Sequence, residues 1–182
     1  MTDSSRHRST HFVRPARLED ARVIRAVARE SWHAAYDDLL GPDTVETVTD
    51  EWYALEGLRE SIETGDSHLF VAPDSTNGEA DRTDELAGFV HVGQWPDEPT
   101  VGHLARLYVH SSHWGRGLGT VLCERGERAL EDDGYSRIRL EVFAKNERAI
   151  DFYEGRGYEP VAEMVEELEG ETYRVSLLER SL

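Results

Sequence analysis

A single lysine, Lys145, stands among 20 basic residues, against 37 acidic ones in a chain of 182. The net charge is −17 at pH 7. Such a surface sets up no field that would draw nucleic acid or an anionic membrane, so both are excluded as partners by bulk charge. Near-absence of lysine beside abundant Asp and Glu predicts a halophile's cytoplasmic protein. Screening lengths shrink to roughly 3 Å near 1 M salt, which relieves the self-repulsion.

Cysteine is equally scarce. With Cys123 alone, no internal disulfide can form. No run approaches the roughly 18 apolar residues of a membrane helix. Met1 to His11 is polar and lacks the apolar centre of a signal peptide. Residues 1–11 are therefore expected as a disordered tail, and the protein as soluble and cytoplasmic. The hydrophobic share is 38%, but four Trp, seven Tyr and five Phe can build a core. The length suits one domain, expected over residues 12–182.

The periodicity changes twice along the chain. Phe12 to Pro15 reads as a short strand. Ala21, Ile24, Val27, Ala28 and Ser31 recur at helical spacing over residues 18–32, and residues 34–40 continue to the Gly41-Pro42 break. Trp52, Leu55, Leu58 and Ile62 predict one helix over residues 48–64. Strands follow at 68–72, 86–92 and 100–109, with a polar loop at 73–85. Val121, Leu122, Gly126, Ala129 and Leu130 form a helical face closed by Gly134. Ile138, Leu140 and Val142 alternate as a strand. Asn146 can cap the next helix, and a hairpin at 161–169 and 171–178 closes the chain. The order β-α-α-β-β-β-α-β-α-β-β is that of one α+β (mixed α/β) domain.

The loop Gly115-Arg116-Gly117-Leu118-Gly119 lies between a strand and a helix. Glycine lets backbone approach a phosphate, and the first amides of the helix have no intrahelical partner, so they face an anion with the dipole behind them. Alone, the loop is equally a tight turn. A Walker loop is excluded, because no Gly-Lys-Ser/Thr is present. A dinucleotide fingerprint is incomplete: Thr120 stands at the third glycine position, five residues separate Val109 from Gly115, and only Glu141 answers the distal acid.

Residues Leu107 to Gly119 (Leu-Tyr-Val-His-Ser-Ser-His-Trp-Gly-Arg-Gly-Leu-Gly) resemble the acetyl-CoA motif of the GNAT (GCN5-related) N-acetyltransferase family. Asn146 to Tyr158 resembles its second motif, N-x-x-A-x-x-F-Y-x-x-x-G-F/Y, at fitting distance. Arg14-Pro15-Ala16 and Ser31 to Tyr36 resemble the start of many members. Coverage runs from about residue 12 to 182. The chain departs from the pattern in two places. Trp114 replaces a usual Gln or Arg, and His103 stands where the family often has Glu.

The resemblance implies a GNAT fold, with a mixed six- to seven-stranded sheet and about four helices. It implies acetyl transfer from acetyl-CoA to a primary amine by direct attack. The CoA site would comprise Leu107, Tyr108, Val109, Trp114, Gly115, Arg116, Gly117, Leu118, Gly119, Thr120, Asn146, Ala149, Phe152 and Tyr153. The Val109 N–H would serve the oxyanion and Tyr153 the leaving thiolate. An alkyl ammonium is neutral in only about one molecule in 10³ at pH 7, so a base is needed. His103 is the first candidate, because imidazole titrates near neutrality, with Glu30 and Glu141 behind it. Trp32, Tyr36 and Glu30 are candidates for the acceptor side. The histidines show no metal-ligand spacing, so no metal is expected. A homodimer is left open. So are a non-catalytic acyl-CoA-binding module, if no base is present, and a nicotinamide-nucleotide enzyme.

Overall fold

The computed structural model describes residues 12–74 and 85–182. The expected tail and most of the polar loop lie outside the described residues. In chain order the elements are β1 (Arg14–Pro15), α1 (Ala21–Leu40), α2 (Pro42–Trp52), α3 (Leu55–Glu63), β2 (His68–Pro73), β3 (Leu86–Trp95) and β4 (Glu98–Val109). They continue as α4 (Leu118–Asp132), β5 (Arg137–Phe143), α5 (Glu147–Glu154), β6 (Glu159–Leu168) and β7 (Glu171–Ser181). The strands form one seven-stranded sheet in the order β1-β2-β3-β4-β5-β7-β6. This is a mixed α/β sheet with helices on both faces.

The burial pattern explains the helices. Ala21, Ile24, Val27, Ala28, Ser31, Trp32, Tyr36 and Leu40 are all buried, so one stripe runs unbroken down a 20-residue α1. Gly41, at φ 82°, stops it, and Pro42 opens α2 where a missing N–H costs nothing. The expected helix over 48–64 is two helices. Tyr53 leaves the helical region at φ −117° and ψ 31°, and this turn buries its ring, which is 1% exposed. The spacing of Trp52, Leu55 and Leu58 survives the break, which is why periodicity alone missed it.

Two apolar layers hold the sheet. One packs α1, α2 and α3 against it through Ile24, Trp32, Leu58 and Phe89. The other packs α4 and α5 through Leu118, Leu122, Leu130, Leu140 and Tyr153. Helix α4 comes unusually close. A Cβ on Gly126 would meet Val92 Cγ1 at 2.8 Å, and one on Gly102 would meet Leu130 Cδ1 at 2.8 Å. Arg14 and Asp20, both buried, pair through two hydrogen bonds of 2.7 and 3.0 Å and tie β1 to the start of α1. Among the described residues no helix is long and apolar enough to cross a membrane.

Candidate active site

The site begins where the sheet comes apart. Strands β4 and β5 pair in parallel only at Gly102–Ile138 and His103–Arg139. Just beyond, β4 carries an extra residue against β3: His91 faces Arg106 while Val92 faces Leu104, so Ala105 is bulged. The bulge turns β4 away from β5 and opens a cavity of about 600 Å³ between them. Its walls are Leu104 to Val109 of β4, Glu141 and Val142 of β5, the glycine loop, one face of α5, and Ser31, Ala34, Ala35 and Tyr36 of α1.

Backbone pairing decides which amides face this opening. The His110 N–H donates to Ala87 O at 2.9 Å. Bonded and unbonded positions alternate along an antiparallel pair, so Val109 and Leu107 make no bonds to β3. Their N–H and C=O groups point toward β5, where no strand meets them. The Trp114 indole Nε1 indeed donates to Val109 O from that side, at 2.6 Å.

The glycine loop borders the same cavity. Gly115 and Gly117 have φ of 73° and 83°, a region costly for any residue with a Cβ. Gly117 is the residue before α4, and no side chain caps the helix there. The first bond to α4 runs from Val121 N to Gly117 O. The amides of Leu118, Gly119 and Thr120 are therefore open at a 15-residue helix N-terminus, a ready anion site.

Opposite lies α5. The Asn146 Oδ1 accepts from the Ala149 N–H at 3.1 Å, capping the helix, while Nδ2 donates to the Tyr36 hydroxyl at 2.9 Å. Tyr153 lines the cavity and is 8% exposed. Burial holds its hydroxyl well above the usual pKa of 10, so it stays protonated and acts as a donor. Arg148 lies over the Trp114 ring at 3.8 Å, and both line the cavity.

Of the residues expected at a CoA site, all but Arg116 line this one cavity. The acceptor and base candidates separate. Tyr36 lines it, whereas Trp32 is core: its Nε1 donates to the hydroxyls of Tyr108 at 2.8 Å and Tyr53 at 3.1 Å. Glu30 lies outside the lining, bonded to Ser111 and His110. His103 lies outside the lining, its ring 4.7 Å from Trp95. Burial, and then the nearby Arg106, lower its pKa to about 4. Glu141 does line the cavity, and its carboxyl is raised by burial and then by Glu166. Ser31, Ala34, Ala35 and Arg148 were missed. The small residues on α1 carry a signal only once α1 is known to cross the opening. Cys123 is buried 3.3 Å from Glu127, with its pKa pushed up to about 12 by burial and then by Glu127.

A splayed parallel pair, a glycine-loop helix N-terminus and a facing tyrosine thus share one cavity. The pattern of the Acetyltransferase (GNAT) family matches residues 32–158, and the chain belongs to that family of N-acetyltransferases. It is 27% identical over 146 residues to a spermidine N(1)-acetyltransferase of Thermoplasma acidophilum, covering 80% of this chain and 86% of that one. A mycothiol acetyltransferase of Rhodococcus jostii is 26% identical over 142 residues, 78% of this chain. The match spans 42% of that relative's length. Among solved structures, the PaiA N-acetyltransferase of Thermoplasma acidophilum in complex with coenzyme A superposes with a TM-score of 0.74. It is 23% identical and covers 94% of this chain and 98% of that one. Arabidopsis thaliana NAA60, in complex with a bisubstrate analogue, gives a TM-score of 0.70 at 19% identity, covering 94% and 98%. The mixed sheet order is not that of a doubly wound dinucleotide fold, which removes the basis for a nicotinamide enzyme.

Proposed function

We infer that the protein transfers an acetyl group from acetyl-CoA to a primary amine, by direct attack with both substrates bound. The observation that carries this reading is the β4–β5 opening, in which amides of Leu107 and Val109, the α4 N-terminus and Tyr153 share one cavity. When bound, acetyl-CoA supplies a thioester whose carbonyl carbon takes the amine. The open amides of Leu118, Gly119 and Thr120 suit its phosphates, and no Cβ at Gly115 or Gly117 obstructs them. The Leu107 and Val109 N–H groups suit the thioester oxygen as it gains charge.

Tyr153 acts on the leaving sulfur. A thiol has a reference pKa of about 8.5, so full transfer from a phenol held well above 10 runs uphill. Its role is to donate a hydrogen bond to the thiolate, not to surrender the proton. The base reading favours Glu141, working directly or through water, because it lines the cavity. His103 is neutral at pH 7, but its ring lies outside the cavity lining, against Trp95, and so is not placed to take the proton of an amine bound there. Tyr36 and Glu141 support an acceptor site on the α1 side, and a carboxylate there suits a cationic amine such as a polyamine. The acidic surface supports a high-salt cytoplasmic setting.

The test is thiol release from acetyl-CoA at high salt with a panel of amines including spermidine, amino sugars and peptide N-termini. Amine-dependent release that falls in Glu141→Gln supports the reading. Tight acetyl-CoA binding with no release on any amine would instead establish a binding module.

A further inference from the structure

In this acidic chain Arg14, Arg25, Arg29, Arg139, Arg156 and Arg180 all end on carboxylates. Arg148 differs. Among the described residues no carboxylate pairs with it, and its guanidinium carbon lies over an indole, 3.8 Å from the Trp114 ring centroid. The indole is itself anchored by the 2.6 Å bond from Nε1 to Val109 O. The ring therefore cannot swing away without losing a bond to the site's own strand. A guanidinium carries five N–H donors, and one held over an aromatic ring with no carboxylate partner has donors left for an oxyanion.

Position points the same way. Trp114 immediately precedes the glycine loop, and Arg148 lies in the first turn of α5 across from it. Both line the cavity together with Gly115, Gly117 and the open end of α4. A chain of net charge −17 repels any polyphosphate at long range, so an unneutralised cation fixed at the cavity wall is where that repulsion is locally reversed.

We propose that Trp114 and Arg148 form a phosphate clamp, in which Arg148 binds a phosphate of the acyl donor and Trp114 positions the guanidinium. The clamp rests on the reading that the cavity takes acyl-CoA. Phosphate could be met as the diphosphate or as the ribose 3′-phosphate, and the two ligands CoA and dephospho-CoA distinguish them.

The experiment is calorimetric titration of both ligands into wild type, Arg148→Ala, Trp114→Ala and the double variant, with thermal unfolding of each as a folding control. CoA binding should weaken roughly tenfold or more in Arg148→Ala, the effect expected of a lost hydrogen bond to a charged group. Trp114→Ala should weaken it similarly, and the double variant little further, because the two act as one unit. Equal loss with dephospho-CoA assigns the contact to the diphosphate; loss confined to CoA assigns it to the 3′-phosphate. Wild-type affinity of folded Arg148→Ala for both ligands would overturn the clamp while leaving the acyl-CoA reading intact. Failure of wild type to bind either ligand would remove that reading itself, and the clamp with it.

Discussion

Asn146 and Tyr36, 110 residues apart in the chain, are joined by a 2.9 Å hydrogen bond that closes one end of the cavity. The same Asn146 caps α5 through its other side-chain atom, accepting from the Ala149 N–H. One amide thus fixes the start of α5 and its distance from α1. Both Asn146 and Tyr36 line the cavity, so helix capping and site geometry are set by a single side chain.

Removing that amide should therefore act on stability and binding together. Asn146→Ala loses a cap, a change of about 1 kcal/mol. In a chain of this size that corresponds to roughly 2–4 °C in Tm. Asn146→Asp keeps the capping oxygen and should recover most of the Tm. Calorimetry on the two variants decides it: if Asn146→Asp is no more stable than Asn146→Ala, capping is not what Asn146 contributes.

The histidines on the sheet predict an acid limb in stability. His91 Nδ1 lies 3.3 Å from an Arg106 nitrogen, which can only donate, so Nδ1 accepts. Its Nε2 then carries the proton and donates to Ser67 Oγ at 2.8 Å. Burial first, and then Arg106, lower the His91 pKa to about 3, and that of His103 to about 4. These folded values lie below the unfolded value of about 6.5, so the unfolded chain binds more protons in between. The stabilisation is complete above about pH 6.5 and is lost as pH falls toward 4 and 3. Two such groups give a slope of up to about 2.7 kcal/mol per pH unit near pH 5. Denaturant unfolding between pH 7 and 4 should show the slope roughly halved in His91→Gln. An unchanged slope would mean that His91 is already protonated in the folded chain.

Much of this was readable before the fold was known, for a physical reason in each case. The glycine loop and the Asn146–Tyr153 spacing are local, and local backbone demands leave a signature in sequence. The β4 bulge left none: Ala105 is an ordinary residue, and only pairing with His91 and Val92 makes it an extra one. Trp32 was a reasonable acceptor-side candidate from helical spacing, but the same spacing serves a core indole bonded to Tyr108 and Tyr53. Arg148 gave no signal, because its partner Trp114 lies 34 positions upstream and the two meet only once α5 folds back over the loop. Buried Glu127 was hidden among 37 acids.

Glu127, on α4, is the hub that ties α4 to the turn after α5 and to β7. Its carboxylate accepts from Arg156, Arg180 and the Tyr158 hydroxyl, each at 2.9 Å, and its side chain is 7% exposed. Glu127→Ala leaves two guanidinium groups and a phenol without their acceptor. Breaking a buried pair from one side costs about 3–5 kcal/mol, and the lower end applies here because Arg180 reaches solvent. Urea unfolding should show that loss. Under conditions where the variant remains folded, acetyl-CoA affinity should stay near wild type, because Glu127 does not line the cavity. A variant of full stability would mean that the two arginines find water or other acids.

Tyr153→Phe separates donation from packing. The ring stays in contact with Phe152 and Tyr158, whose centroids lie 5.2 and 5.4 Å away, so the fold and the pocket wall are kept. The hydroxyl has no hydrogen-bond partner among the described residues, so its removal leaves no protein group unpaired. The loss should therefore appear only as the sulfur leaves. Turnover should fall roughly 10- to 100-fold, the range of one hydrogen bond to a charged group, with acetyl-CoA affinity unchanged. Because burial holds this phenol well above 10, the wild-type rate should show no alkaline decline near pH 10 from Tyr153 itself. Steady-state kinetics of both proteins from pH 6 to 10 test the two statements together. Unchanged turnover in Tyr153→Phe would make the tyrosine a wall residue, and the thiolate would then have to leave with the help of water or the incoming ammonium alone.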